Sequence, residues 1–144
     1  MRVRGVLKEK GREVVTIGTG ATVADAVARL VENDIGSLPV VDGRGRLVGI
    51  FTERDVLHGL HRRGEGFCGE PIDRVMTPDP VACHPDDSVH DAMGQMSAHK
   101  IGQLPVVQDG VVVGVVSVGD VVTLLHQAAE DENRHLLTYL YGSV

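Results

Sequence analysis

Two short stretches of the chain run from apolar residues into a hydroxyl residue and, three positions later, an aspartate. Residues 49–55 read GIFTERD and residues 114–120 read GVVSVGD. In each, the apolar residues predict a buried strand, and the hydroxyl residue predicts the start of a helix. Such a junction places backbone N–H groups and a carboxylate side by side. An aspartate there can accept hydrogen bonds from two adjacent hydroxyls, as on a ribose, while the N–H groups face a phosphate.

Helix capping is the competing explanation for these residues. A Ser or Thr accepts a hydrogen bond from a first-turn N–H, and a nearby Asp suits the positive end of the helix dipole. The chain contains four units of the form S/T-x-x-D, and those at 22–25 and 88–91 are interpreted as caps alone. Only the units at 52–55 and 117–120 follow a Gly and two apolar residues. Thr52, Asp55, Ser117 and Asp120 are therefore candidate binding residues.

An internal repeat organises the elements that position these residues. NDIGSLPVVD (33–42) matches HKIGQLPVVQ (99–108), and TVADAV (22–27) matches SVHDAM (88–93). Each copy has the pattern of a strand, a helix, a two-stranded hairpin and a second helix. The sequence therefore predicts an α+β fold made of two β-α-β-β-α repeats. One copy is too small for a secure core of its own, so the two halves are expected to pack together.

The predicted boundaries follow from the same patterns. The first strand of each copy is expected at 14–17 and at 80–83, before the predicted helices. The hairpin strands are expected at 37–41, 46–51, 103–107 and 111–116. We divide the chain into a first repeat (1–62), a linker rich in Gly and charge (63–72), a second repeat (73–126) and a helical tail (127–144).

The tail carries more apolar residues than the repeat needs. Leu136, Leu137, Tyr139, Leu140 and Tyr141 form a dense apolar cluster. Such a terminus usually docks on another surface. Two interpretations stay open, packing on its own domain or contact with a second copy in a homodimer.

Composition narrows the class of protein. The chain is 42% hydrophobic and only 3% aromatic, with no Trp, so its core is aliphatic. A net charge of −6 gives no attraction to nucleic acid or to an anionic membrane. The apolar runs are far shorter than the roughly 20 residues that span a bilayer. The N-terminus has no apolar segment of the secretory type. Cys68 and Cys83 are expected to be free thiols in a reducing cytoplasm.

Histidine and cysteine offer two further chemistries. His58 and His61 share a helical face near Cys68, which would allow a metal site. Cys83 and His84 could form a nucleophile and base, but adjacent residues on a strand point to opposite faces. We therefore expect no catalytic residues and no metal ligands, and keep a metal-dependent sensor as an alternative.

The ordered set of motifs resembles tandem cystathionine-β-synthase (CBS) domains, a pair also called a Bateman module. The resemblance covers roughly residues 3–126. It rests on SLPVVD, QLPVVQ, DRVMTPDP (73–80) and the doubled G-h-h-[S/T]-x-x-D, where h is an apolar residue. It implies two repeats about a pseudo-two-fold axis, with two clefts that bind adenosine nucleotides. Members of the family commonly sense AMP, ADP, ATP, S-adenosylmethionine or NAD, regulate enzymes or channels, and often pair into a flat disc.

The resemblance also implies roles for individual residues. Asp55 and Asp120 would hold the ribose hydroxyls, and Thr52 and Ser117 would bond phosphate or ribose. Other residues would form the walls of the adenine slot or bond the edge of the adenine ring through their backbone groups. These residues are Val15, Ser37, Leu38, Pro39, Val81, Ile101, Gln103, Leu104 and Pro105.

The sequence departs from the family where some members carry Arg or His directly before Leu-Pro. Gly36-Ser37 and Gly102-Gln103 stand there instead. Arg54 is the basic residue beside Asp55, and its guanidinium suits phosphate oxygens, whereas its counterpart is Gly119. The two clefts are therefore expected to differ, with the Asp120 cleft the weaker for phosphate unless His99 or Lys100 reaches across. The shortage of basic residues favours AMP over polyphosphates.

The predicted function is a stand-alone regulatory module that binds AMP, with ADP, ATP, NAD or S-adenosylmethionine as other ligands. It is expected to require no cofactor, to catalyse no reaction, and to act as a cytoplasmic homodimer through an effector protein that the sequence does not identify. The alternatives are a structural or protein-interaction module whose clefts bind no nucleotide, and the metal-dependent sensor.

Overall fold

The computed structural model describes residues 1–142, which form six α-helices and six short strands; Ser143 and Val144, the end of the predicted tail, lie outside the described residues. The first repeat contains β1 (Ile17–Gly18), α2 (Val23–Asn33), β2 (Ser37–Val41), β3 (Leu47–Thr52) and α3 (Glu53–Arg63), after an N-terminal helix α1 (Val3–Lys10). A connection follows, made of a 3-10 helix (Gly64–Gly69), α4 (Ile72–Val75) and β4 (Thr77–Pro78). The second repeat contains α5 (Val89–His99), β5 (Gln103–Gln108), β6 (Val111–Ser117) and α6 (Val118–Tyr141).

The α+β class and the two β-α-β-β-α repeats are confirmed. Four of the helices begin at Ser or Thr, because each hydroxyl accepts a hydrogen bond from the N–H three residues on: Thr22, Thr52, Ser88 and Ser117. The hairpin β2–β3 is antiparallel with Leu38 opposite Phe51, and β5–β6 repeats it with Leu104 opposite Val116.

The first strand of each repeat is shorter than predicted. β1 begins only at Ile17, where it pairs in parallel with Val40 of β2. The strand expected at 80–83 is reduced to a single bridge between Cys83 and Val106. Pro80 lies in this segment and Pro78 and Pro85 flank it, and a proline has no N–H to donate to a ladder.

The core of each repeat is completed by a segment that lies outside that repeat in the sequence. Val3 and Val6 of α1 are buried in the core of the second repeat with Leu104. Phe67 and Ile72 of the connection are buried in the core of the first repeat, in the cluster that also contains β2 and β3 residues. The strand β4 likewise pairs with β3, outside its own repeat. The two halves therefore interlock rather than merely touch.

A glycine in each hairpin allows this interlocking. A Cβ on Gly114 of β6 would lie 2.7 Å from a Leu7 methyl, and a Cβ on Gly49 of β3 would overlap the side chain of Met76. Gly49 and Gly114 are the first residues of the doubled G-h-h-[S/T]-x-x-D motif. Its glycine is thus explained by close packing of the exchanged segments.

The predicted tail is a direct continuation of α6. Residues 127–141 extend the helix that starts at Val118 without a break, and every residue from Leu125 to Gly142 is exposed within the described chain. Leu125, Leu136 and Leu140 are 62%, 54% and 67% exposed. Among residues 1–142, no helix combines the length and the apolarity needed to cross a membrane.

Candidate functional site: two clefts between the repeats

The first of two clefts lies beside the start of α3 and has a volume of about 560 Å³. One wall carries Thr52, Arg54 and Asp55 of the first repeat, and the opposite wall comes from the second repeat. The residues of that opposite wall are Val81, His99, Lys100, Ile101 and Gln103. We call this the Asp55 cleft.

The second cleft lies beside the start of α6 and has a volume of about 910 Å³. Here Ser117 and Asp120 come from the second repeat, while Val15, Ile35 and Ser37 come from the first. We call this the Asp120 cleft. Both volumes lie in the range of typical small-molecule sites, and each cleft joins the motif of one repeat to the slot residues of the other.

The motif aspartates cap their helices with one oxygen each. Oδ2 of Asp55 accepts from the Thr52 N–H at 2.9 Å, and the Asp55 N–H donates to Oγ1 of Thr52 at 3.2 Å. Asp120 and Ser117 form the same box, at 3.0 Å in both directions. Within residues 1–142, the Oδ1 atoms of both aspartates accept no hydrogen bond. Capping therefore leaves one carboxylate oxygen of each aspartate available to a ligand.

The other two units are caps outside both clefts, as expected. Thr22 and Asp25 form a complete capping box on the exposed start of α2, and hydrogen bonds from Thr22 lower the pKa of Asp25. At α5, Ser88 accepts from the Asp91 N–H. Location at a cleft distinguishes Asp55 and Asp120 from Asp25, which forms the same capping box.

The two motif aspartates differ in their cationic neighbours. Nζ of Lys10, the last residue of α1, lies 2.9 Å from Oδ2 of Asp120 and donates a second hydrogen bond to the Val115 carbonyl at 3.0 Å. Lys8 and Arg12 also line the Asp120 cleft. Asp55 has no ion pair within residues 1–142, and the Arg54 guanidinium beside it is exposed and unpaired there. Each cleft thus has its own basic residues.

The structure corrects one expectation about these basic residues. His99 and Lys100 lie on the Asp55 cleft, with Arg54, and do not reach the Asp120 cleft. The cations of the Asp120 cleft are Lys8 and Lys10 of the N-terminal helix and Arg12, which follows it. Sequence reasoning missed them because α1 lies outside the repeat, and its packing on the second repeat is a long-range contact. The sequence did contain a signal for this helix: Val3 and Val6 have the spacing of one helical face, and the lysines of VLKEKG (6–11) follow them.

Lys100 adopts a backbone conformation that is unfavourable for its type. It ends α5 in the left-handed region, with φ of +55°, where Gly or Asn is favoured. Its counterpart at the end of α2 is Asp34, with φ of +52°, on the Asp120 cleft. The two clefts therefore carry opposite charges at equivalent positions.

Ser37 is a buried hydroxyl that faces the Asp120 cleft. The residue is only 4% exposed, and its Oγ has no hydrogen-bond partner within the described chain. A buried polar group without a partner is costly in a native protein. The Ser37 hydroxyl therefore lacks a hydrogen-bond partner on the lining of this cleft.

Four of the predicted slot residues do not line either cleft. Leu38 and Leu104 are fully buried, each in the core of its own repeat, and the neighbouring Pro39 and Pro105 are buried as well. Val15, Ser37, Val81, Ile101 and Gln103 do lie on the clefts. Gln103 borders both, with its Nε2 2.8 Å from where a Gly36 Cβ would stand.

The cysteine and histidine residues form no reactive arrangement in the described chain. Burial, with Asp87 nearby, raises the pKa of the Cys83 thiol to about 11, so the thiol is protonated at neutral pH. Cys68 is exposed, and both cysteines are free. Among residues 1–142, no three His, Cys, Asp or Glu side chains converge as metal ligands.

Two repeats joined by composite clefts, each with a helix start and an aspartate, define the architecture of this chain. The model of the CBS domain matches residues 7–62 and 72–127, so the chain belongs to the CBS-domain family. This confirms the resemblance that the motifs indicated.

Several relatives share most of this chain. The CBS domain-containing protein YhcV of Bacillus subtilis is 33% identical over 109 residues, which are 75% of this chain and 76% of YhcV. The CBS-domain containing protein ATU1752 of Agrobacterium tumefaciens has a crystal structure with a TM-score of 0.80 and 31% identity, covering 86% of this chain and 98% of that one. The CBS domain pair of protein MJ0100, in complex with 5'-methylthioadenosine and S-adenosyl-L-methionine, gives a TM-score of 0.79 at 29% identity, covering 89% and 98%.

Proposed function

We propose that this protein is a regulatory module that binds adenosine nucleotides, AMP above all, in the clefts between its two CBS repeats. The observation that carries the proposal is the free Oδ1 of Asp55 and of Asp120, each beside a helix start in a cleft of ligand size. A carboxylate oxygen can accept from both hydroxyls of a ribose, and helix N–H groups favour a phosphate. The adenosine ligands of MJ0100 support the same ligand class.

The walls of the clefts suit a purine. Val81 and Ile101 border the Asp55 cleft, and Val15 and Ile35 border the Asp120 cleft. Apolar side chains on two sides can hold a flat ring, while nearby backbone groups bond its edge. ADP, ATP, NAD and S-adenosylmethionine share this adenosine half and are the other ligands to test.

The charges of the Asp55 cleft favour a single phosphate. Arg54 and Lys100 are balanced there by Glu53 and Asp55, so the lining carries little net positive charge. A monophosphate needs one such cation, whereas the longer anion of ATP needs more. This balance supports AMP over polyphosphates.

We further propose that the module catalyses no reaction, requires no cofactor and acts through an effector protein. The protonated thiol of Cys83 supports the first part, because a thiol with a pKa of about 11 is a poor nucleophile. The two free cysteines fit a reducing cytoplasm.

The exposed part of α6 supports a homodimer. Leu125, Leu136 and Leu140 lie along a helical segment whose residues are all exposed in the described chain. A helical segment of this length is only marginally stable in water without a packing partner. A second copy, bringing an identical apolar stripe, would cover it.

A thermal-shift screen tests the proposed function. The protein is melted with AMP, ADP, ATP, NAD or S-adenosylmethionine, and with inosine monophosphate as a control that changes only the purine edge. A ligand that binds the native state alone raises the melting temperature with concentration. AMP should give the largest rise. The absence of a rise with all five adenosine ligands would reject the proposal in favour of an interaction module.

A further inference from the structure

We propose that Lys10, from the N-terminal helix, is the residue that makes the Asp120 cleft select anionic adenosine ligands. This inference rests on the proposed function and assigns a specificity residue to one of its two sites. In this proposal Lys10 supplies the Asp120 cleft with the phosphate-binding cation that we expect Arg54 to supply in the Asp55 cleft. The counterpart of Arg54 in the second repeat is Gly119, which has no side chain to do so.

Lys10 has a donor to spare in its present contacts. A lysine ammonium carries three N–H donors. One is taken by Oδ2 of Asp120 and one by the Val115 carbonyl. The third remains for a ligand atom, and the Lys10 side chain is 24% exposed at the cleft surface.

The position of Lys10 is set by packing and not by the ion pair alone. Val3 and Val6 anchor α1 in the second core, and Leu7 sits over Gly114 at the cleft edge. One turn further on, Lys10 ends the helix before Gly11, whose φ of +67° turns the chain away. A cation at a helix C-terminus is also favoured by the dipole.

The ion pair changes what Asp120 offers to a ligand. Lys10 offsets the charge of Asp120 but binds only Oδ2, so Oδ1 can still accept from a ribose hydroxyl. Lys8 and Arg12 also line the cleft, but within residues 1–142 only Lys10 pairs with Asp120, so without it an anionic group beside the ribose would lie next to an unpaired carboxylate. Lys10 therefore favours ligands with an anionic group close to the ribose over neutral adenosine.

An independent observation indicates that this cleft is built for a ligand. Ser37 lines the same cleft and is only 4% exposed, and its Oγ has no hydrogen-bond partner in the described chain. Ser37 and Lys10 come from different elements and both line the Asp120 cleft. A bound nucleotide would satisfy both groups.

NMR titration of the full chain separates the two clefts. AMP and adenosine are titrated into labelled wild type, Lys10→Met, Lys10→Arg and Arg4→Met. The amide of Gly114 reports on the Asp120 cleft and that of Gly102 on the Asp55 cleft. Arg4→Met is the matched control, since it removes a cation of the same helix that pairs with Asp86 outside both clefts.

We expect Lys10→Met to weaken the AMP affinity that the Gly114 amide reports by about tenfold or more, which is the usual effect of losing one charge-assisted hydrogen bond. Adenosine at Gly114, and both ligands at Gly102, should be unchanged. Lys10→Arg should keep the AMP preference, and Arg4→Met should behave as wild type.

Three results would overturn the inference while leaving the proposed function intact. Tighter binding of both ligands in Lys10→Met would make Lys10 a competitor for Asp120. Equal weakening of both would make it a positioning residue only. No change would remove it from the site. If neither ligand shifts either amide in wild type, the proposed function fails and this inference falls with it.

Discussion

A capping box uses only part of a carboxylate, and that is why the same residues can cap a helix and face a ligand. In Asp55, Oδ2 closes the box with Thr52, and Oδ1 stays open. Sequence reasoning treated capping and binding as competing explanations of Thr52 and Asp55. The geometry makes them compatible, because the two functions use different oxygens.

Arg54 gives the first prediction at this scale. Its guanidinium is exposed at the Asp55 cleft and has no ion pair in the described chain. Replacing Arg54 by Ala should weaken the binding of AMP about ten- to a hundredfold, since a charge-assisted hydrogen bond contributes roughly 1.5–3 kcal/mol. Adenosine affinity should stay the same. Calorimetry with both ligands measures this, and equal AMP affinities before and after the change would remove Arg54 from the site.

Thiol chemistry gives a second prediction. Because the pKa of Cys83 is raised to about 11, its thiol stays protonated and buried at pH 8, whereas Cys68 is exposed. An alkylating reagent should modify Cys68 rapidly and Cys83 only after unfolding, as peptide mass mapping can show. The unfolded thiol loses its proton at a lower pH, so Cys83 should also reduce stability as the pH rises from 9 towards 11. Rapid labelling of native Cys83 would contradict this.

At the scale of elements, the sequence predicted well the features that depend on local interactions along the chain. The helix starts at Thr52 and Ser117 and the hairpins around Pro39 and Pro105 follow from caps, turns and alternation, which depend on neighbouring residues. The strands at 14–17 and 80–83 were predicted too long. A parallel strand depends on a distant partner, and prolines around residues 80–83 interrupt its ladder.

The helix α1 shows why the remainder could not be predicted. It has only 8 residues, contains Gly5, and has no side-chain cap at Arg2. Such a segment is marginal alone. It forms because Val3 and Val6 fill the core of the second repeat. Lys10 reaches Asp120 only through that long-range packing, so this part of the site was hidden from local patterns.

Two helical glycines provide a prediction about packing. Gly59 of α3 is buried against the ring of Phe67, which a Cβ would overlap, and Phe67 itself packs 6.4 Å from the ring of Phe51. Gly59→Ala should therefore destabilise the fold by about 1–3 kcal/mol, despite the higher helix propensity of Ala. Chemical denaturation measures the change.

Gly94 of α5 is the matched control, because a Cβ there meets nothing within 4 Å. Gly94→Ala should stabilise by about 0.5–1 kcal/mol through propensity alone. Stabilisation by both substitutions would show that Phe67 does not press on α3.

At the scale of the whole molecule, the exchanged segments tie the clefts to the cores. The helix α1 completes the second core and also brings Lys8, Lys10 and Arg12 to the Asp120 cleft. The connection completes the first core, and Val81, which follows the connection in the chain, lines the Asp55 cleft. The packing that completes the two cores therefore also positions residues of the two clefts.

The exposed stripe on α6 gives the prediction about assembly. Light scattering at tens of micromolar should find a dimer, and the combined change Leu136→Glu and Leu140→Glu should give a monomer, because it places charge on the apolar stripe. Val31→Glu is the control, since Val31 is 74% exposed elsewhere. A monomeric wild type would reject the dimer, and a dimeric double variant would place the contact away from the tail.

The most direct test of the account is AMP calorimetry on a variant that lacks both motif aspartates. Asp55→Ala with Asp120→Ala also removes the hydrogen bonds that the two carboxylates accept from the Thr52 and Ser117 N–H groups, so melting curves must show that the variant is folded. Asp25→Ala is the matched control, because it removes the same capping box on an exposed helix away from both clefts. The account predicts that AMP binding is lost in the double variant and is unchanged in Asp25→Ala. Unchanged AMP affinity in the folded double variant would contradict it.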